Sequence, residues 1–192
     1  MIKKIYLFFK IILISFFFVN VSYADLQNDL INKLISTETL SFDFNQKISK
    51  KEEMGSCFIK YPLLMRCNYK DSSKKKFISN GKTVAIIKRK YKKIYYYPLK
   101  STPLFTILDK DKILNLIKKN KPVKVNPDIV EFIFIDSKSN KLKIFFNTNT
   151  LSLNGWETID AYSNIVRFKI SNLKINNQIV DSFFKIPKED EL

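Results

Sequence analysis

Hydrophobic residues in this chain recur first at helical spacing and then at strand spacing. From Asp25 to Thr37, Leu26, Leu30, Ile31, Leu34 and Ile35 share one stripe, with Asn28, Asp29, Asn32 and Lys33 off it. That spacing predicts an amphipathic helix. From Leu40 the period becomes two: Leu40, Phe42 and Phe44 alternate with Ser41, Asp43 and Asn45, and Ile48 keeps the phase. This is a strand with one apolar face. Gly55 to Tyr69 reads as a hairpin with Pro62 near its centre. Asn80-Gly81 reads as a tight turn joining Lys76 to Ser79 with Thr83 to Lys88, because both residues tolerate positive φ. A further strand covers Lys93 to Tyr97.

Pro98 and Pro103 end the alternation, and Leu104 to Lys119 is predicted as one helix, with Leu104, Leu108, Leu114 and Ile117 among its apolar positions. Strands resume after Pro127: Ile129 to Asp136, Lys141 to Asn147, Thr150 to Asp160, Asn164 to Asn172, and a short piece around Phe183 to Ile186. Short strands joined by tight turns predict a meandering antiparallel sheet. The fold class expected is α+β, mainly antiparallel β, in a single domain spanning residues 25–192.

The amino end changes the picture. Lys3 and Lys4 precede an apolar stretch from Ile11 to Val21, and Ser22-Tyr23-Ala24 places small residues three and one before Asp25. This is the pattern of a secretory signal cleaved after Ala24. An uncleaved anchor, using Ile5 to Phe9 as well, is the alternative. The working chain is then expected to be residues 25–192, soluble and exported. Without Lys3, Lys4 and Lys10 the net charge falls from +16 to about +13. Export makes nucleic acid an unsuitable partner for that charge. Anionic lipid headgroups or an acidic protein remain, as does an AT-rich genome that favours lysine everywhere.

The chain has no histidine, which excludes Ser-His-Asp and Cys-His nucleophile systems, His-ligated zinc and any His general base. Two cysteines cannot make a four-cysteine metal site, and Gly55, Gly81 and Gly155 are too isolated for a phosphate loop. A Ser-Lys or carboxylate-only enzyme stays open, but no residue pattern marks one, so no enzyme, cofactor or metal is expected. If Pro62 centres its hairpin, Cys57 and Cys67 stand directly opposite each other. In an oxidising compartment they form a structural disulfide or else stay two buried thiols; a redox pair would more usually be Cys-x-x-Cys.

Four stretches, in this order, resemble the outer-membrane lipoprotein carrier family LolA: Leu40-Ser-Phe-Asp-Phe-Asn-Gln46; Gly55 to Pro62 running on to Arg66-Cys-Asn-Tyr69; Phe77 to Val84 with Ile94 to Pro98 and Thr102-Pro-Leu104; and Gly155-Trp-Glu-Thr-Ile-Asp160 with Phe183 to Pro187. The resemblance covers essentially all of residues 25–192. Three departures stand out. Tyr61 occupies the place of a basic latch residue before the hairpin proline, Ala85 stands where an aromatic commonly follows the Gly-Lys-Thr turn, and Leu63 directly follows Pro62. A related outer-membrane receptor of the same fold carries a lipid-modified cysteine at its mature start, and the Ala24-Asp25 junction does not fit it.

The resemblance implies an unclosed β half-barrel of about 10–11 strands capped by helices over an apolar cavity. Phe42, Phe44, Ile59, Met65, Tyr69, Leu142, Ile144, Phe146, Val166, Phe168 and Ile170 are then the acyl-chain cavity candidates; the alternative is that they fill an ordinary core. Leu104, Phe105, Leu108 and Leu114 would line or dock the lid. The implied function is a periplasmic carrier of triacylated lipoproteins. It would receive them from an inner-membrane lipoprotein-releasing ABC transporter and deliver them to an outer-membrane acceptor, acting as a monomer. The alternative is a lipid- or lipoprotein-sensing module of the same fold.

Overall fold

The computed structural model describes residues 23–135, 141–160 and 162–192. The expected signal segment lies outside them except for Tyr23 and Ala24, which begin the first helix, α1 (Tyr23–Ile35). Leu30 and Leu34 of its apolar stripe are buried, with Leu26 and Ile31 packed beside them. Ile35, expected on the same stripe, is exposed at the helix's last position.

Six strands follow: β1 (Thr39–Ile48), β2 (Lys51–Lys60), β3 (Leu64–Tyr69), β4 (Lys75–Asn80), β5 (Thr83–Lys88) and β6 (Lys93–Pro98). After two short helices come β7 (Lys124–Val125), β8 (Ile129–Ile135), β9 (Lys141–Asn147), β10 (Leu153–Ile159) and β11 (Ile165–Ile175). All eleven form one sheet in the order β6-β5-β4-β3-β2-β1-β11-β10-β9-β8-β7. Each half is a meander, and the pairing of β1 with β11 joins them, Phe44 standing opposite Ile170. The edges β6 and β7 do not meet, so the sheet is an unclosed half-barrel.

One face carries the main core. Leu40, Phe42 and Phe44 of β1, Cys57 and Ile59 of β2, and Ile144 and Phe146 of β9 bury there together with Leu30, Leu34 and Ile117 from the helices. The helices therefore lie on the inner face. The β2–β3 hairpin keeps the predicted register, with Cys57 opposite Cys67, and the two are joined in a disulfide.

Three expectations are corrected. The segment Leu104 to Lys119 is two helices, α2 (Leu104–Leu108) and α3 (Lys110–Lys119). Asp109 breaks them apart by leaving helical geometry, with φ −88 and ψ 94, and its carboxylate accepts the Lys112 N–H to cap α3. The β4–β5 turn begins one residue later than expected, on Gly81-Lys82, because Asn80 extends β4 by pairing with Leu64 of β3, while Thr83 opens β5 as expected. Of the Asn80-Gly81 pair, only Gly81 takes positive φ, at +93. Asn80 acts instead through its side chain, which accepts the N–H groups of Lys82 and Thr83.

The third correction concerns the carboxy-terminal stretch. Phe183 to Ile186 is no strand: Asp181–Phe184 is a single 3-10 turn whose N–H groups bond locally, Phe183 to Val180 and Lys185 to Ser182. It packs on the outer face. There Arg66 donates to the Phe183 carbonyl at 2.8 Å and lies 4.5 Å above its ring. Ile186 and Leu192 cover a small second cluster made of Ile78, Ala85, Ile87 and Ile94.

Candidate functional site

Alternation decides which side chains face inward, and the reach of the helices decides which of those stay uncovered. A cavity of about 400 Å³ lies on the inner face where no residue of α1 or α3 borders it. Met65 and Phe77 line it from β3 and β4, Ile86 from β5, Trp156 from β10, and Val166 and Phe168 from β11. Pro103 and Leu104, at the start of α2, close it from above.

Its floor is an aromatic row built across strands. Trp156 stacks on Phe168 at 4.1 Å between centroids and 8° between planes. Phe168 stacks on Phe44 at 4.7 Å, and Phe44 meets Tyr69 edge-on at 4.9 Å. Cross-strand aromatic pairs of this kind stiffen a sheet as well as filling it.

One wall is polar. Glu53 is buried on the inward phase of β2 and takes Lys51 at 2.7 Å and Lys75 at 2.6 Å. The Lys75 ammonium also sits 3.8 Å from the Tyr69 ring centre, and the Tyr69 hydroxyl donates to Gln46 Oε1 at 2.9 Å. Burial raises the Glu53 carboxyl, but the hydrogen bonds and charges of the two lysines together outweigh it and hold the group below the usual carboxylate range. For Tyr69, burial first and then Glu53 and Asp71 push the hydroxyl well above its ordinary value, so it remains a donor.

A carboxyl depressed in the folded state stabilises at any pH above its unfolded value and loses that contribution as pH falls through the lowered one. Glu53→Gln is therefore expected to cost roughly 2 kcal/mol at neutral pH, leaving Lys75 without its partner, and to flatten the acid side of the stability profile. Urea unfolding between acid and neutral pH measures both. An unchanged profile would show the pair to be inert.

The sequence candidates divide by place. Met65, Tyr69, Val166 and Phe168 border the cavity, as does Leu104. Phe42, Ile59, Leu142, Ile144 and Phe146 are buried in the main core, where Leu108 and Leu114 also pack. Phe44 is buried in the aromatic row, Ile170 is half-buried against the core, and Phe105 is half-buried with Lys112 5.0 Å above its ring. Trp156, Phe77, Ile86, Glu53 and Lys75 were not among the candidates. Extending the inward phase of Ile59, Cys57 and Gly55 back along β2 reaches Glu53, and that was the available signal.

At the opposite end of the wall the hairpin tip meets the helices. The Leu63 N–H donates to the Leu108 carbonyl at 2.9 Å. Lys110 donates to the carbonyls of Ile35 and Thr37, both at 3.0 Å, and lies 5.9 Å above the Tyr61 ring. The cation at this junction is thus carried by α3 and ties it to the end of α1, while Tyr61 supplies an aromatic face.

A family model described as "Outer membrane lipoprotein carrier protein LolA" matches residues 35–187. No curated protein matches the chain by sequence. Among solved structures, an uncharacterized conserved protein from Thermus thermophilus is similar at 10% identity and a TM-score of 0.51, covering 87% of this chain and 96% of its own. The Pseudomonas aeruginosa MucA/MucB complex gives a TM-score of 0.50 at 10% identity, with 87% of this chain and 62% of that chain covered. At such identities the likeness concerns the fold alone.

Proposed function

Because the chain belongs to the outer membrane lipoprotein carrier protein LolA family, we propose that it is a periplasmic carrier whose cavity takes up the acyl chains of lipoproteins and delivers them to the outer membrane. The observation that carries this reading is the hollow of about 400 Å³ above the Trp156-Phe168 aromatic floor. It lies within the range of about 300–1,000 Å³ common to small-ligand sites.

Each methylene removed from water contributes about 0.8 kcal/mol, so a long chain is held chiefly by apolar burial. A hollow of this size accepts a ligand of drug size as it stands. Three acyl chains require α2 and α3 to move off the inner face, which exposes Ile113, Leu114 and Ile117 again. That cost offsets much of the gain and keeps release easy. The Leu63-Leu108 and Lys110 contacts, and the bonds from the Gln27 side chain to the Ile117 and Asn120 carbonyls, are among those that opening must break. Cargo would arrive from an inner-membrane releasing transporter and leave to an outer-membrane acceptor. No catalytic step is assigned.

Depleting the protein in its source cell and fractionating the envelope tests the reading. Lipoproteins should collect at the inner membrane and should co-purify with the protein. Normal arrival at the outer membrane ends the carrier reading. A module of the same fold that binds lipid or lipoprotein without moving it would then account for any acyl chains still bound.

A further inference from the structure

Strand directions place the turns 49–50, 70–74, 89–92 and 160–164 at one end of the sheet, and 61–63, 81–82, 126–128 and 148–152 at the other. The cavity lies toward the first end: Gln46, Ile48, Lys51, Lys75 and Asp160 border it, all close to those turns. Taken with two residues on either side, the four turns around the cavity hold twelve lysines and arginines against three acidic residues. The four at the opposite end hold three against one. A lysine-rich genome would load both ends alike, so the asymmetry is positional.

Nine of the twelve, including Arg89, Lys90, Lys92 and Lys93, make no ion pair among the described residues; only Lys47, Lys51 and Lys75 do. Burial first, and then neighbouring cations, Arg89 among them, lower the pKa values of Arg66 beside this collar and of Lys76 within it. Exposed apolar groups lie beside the cations, one on a cationic turn and three at the turn that carries none. Tyr91 is 57% exposed and Tyr162 87% exposed, with Ile159 and Ile165 flanking the latter turn at 44% and 54%.

We propose that this collar is a docking surface for an anionic phospholipid bilayer, on which the protein sits with its cavity facing the lipid. Eleven of the twelve cations are lysines, point charges on flexible stems that suit a diffuse negative surface better than the forked recognition of a particular carboxylate. Tyrosine rings beside lysines match the chemistry of the membrane–water interface, where both bury apolar stems and keep polar ends wet. The charge is spread over three separate turns, which presents a broad face. The inference rests on the acyl-carrier reading for its purpose, because a docked mouth would let chains pass without crossing water.

The test uses the processed protein recovered after export, with phosphatidylglycerol-rich vesicles, phosphatidylcholine vesicles, and a fluorescent fatty acid in vesicle-free buffer. The protein should float with the anionic vesicles at low salt, stay behind with the neutral ones, and be released by added salt. A variant with Arg89→Gln, Lys90→Gln, Lys92→Gln and Lys93→Gln should partition at least about tenfold more weakly. A control with Lys82→Gln, Lys100→Gln and Lys124→Gln, toward the other end, should partition as the parent does. All three should bind the fatty acid equally. Equal partitioning of the two variants, equal binding to neutral vesicles, or no binding to anionic ones overturns the proposal, the last leaving the collar to an acidic protein. Failure of fatty-acid binding alone would sink the carrier reading and leave the docking surface standing.

Discussion

A protein carrying Ile86→Trp and Val166→Trp is expected to lose acyl-chain binding by about a hundredfold or more while melting within a few degrees of the parent. Both side chains border the cavity, one from β5 and one from β11, five places apart in the sheet order. Each indole therefore enters open space from its own flank and displaces no packed neighbour. Denying a chain about four methylenes of burial removes roughly 3 kcal/mol, which is the stated factor. Titration with a fluorescent fatty acid reads the loss, and thermal unfolding shows that the wall still stands. Unaltered binding would mean that acyl chains lodge elsewhere, under the helices or on the surface.

Gly55→Ala should damage the wall severely, costing on the order of 4 kcal/mol or more and leaving little or no folded protein at physiological temperature. An added Cβ would stand 2.1 Å from the Asn68 carbonyl oxygen and 2.7 Å from the Phe44 ring. The ring could tilt. The carbonyl belongs to β3 and cannot retreat without parting the β2–β3 ladder two residues from the Cys57–Cys67 bond. Phe44 and Tyr69, both inward-facing neighbours of Gly55, meet edge-on above it in the space a side chain would take. By comparison, removing the disulfide should cost a little under ~3 kcal/mol, since it closes a short loop. Urea unfolding of both variants ranks them, and an alanine variant with an unshifted midpoint would refute the steric account.

The strands were readable because a half-buried strand writes its inner face into every second residue, and the register of the Cys57–Cys67 hairpin followed from counting outward from Pro62. The break at Asp109 was not legible in the same way. Leu104, Leu108, Leu114 and Ile117 keep roughly helical spacing across it, and periodicity registers faces, not backbone continuity. The local cue was Asp109 itself, placed three residues before Lys112 as a helix cap. The aromatic pair Phe183-Phe184 looks like strand material, yet it lies across the face of β3 and β4, whose edges are already paired, and neighbours are a tertiary fact.

The site was legible only by face. Alternation puts Phe42, Ile59 and Phe146 on the same inner surface as Met65, Val166 and Phe168. It says nothing of how far along each strand the helices extend. The first three lie among the core residues that the helices cover and the last three line the hollow. The charged wall needed one more step, the recognition that Glu53 keeps the inward phase of its strand and must find cations there.

Because β6 and β7 never join, the wall has no fixed girth. A closed barrel holds its radius through strand number and stagger, and widening it means breaking or shifting a ladder. Here a bulkier occupant can be met by a slight loosening of twist shared among ten strand pairings, each keeping its hydrogen bonds. Elastic give of that sort is distributed along the whole backbone, so occupants of unequal bulk fit within one and the same set of strands.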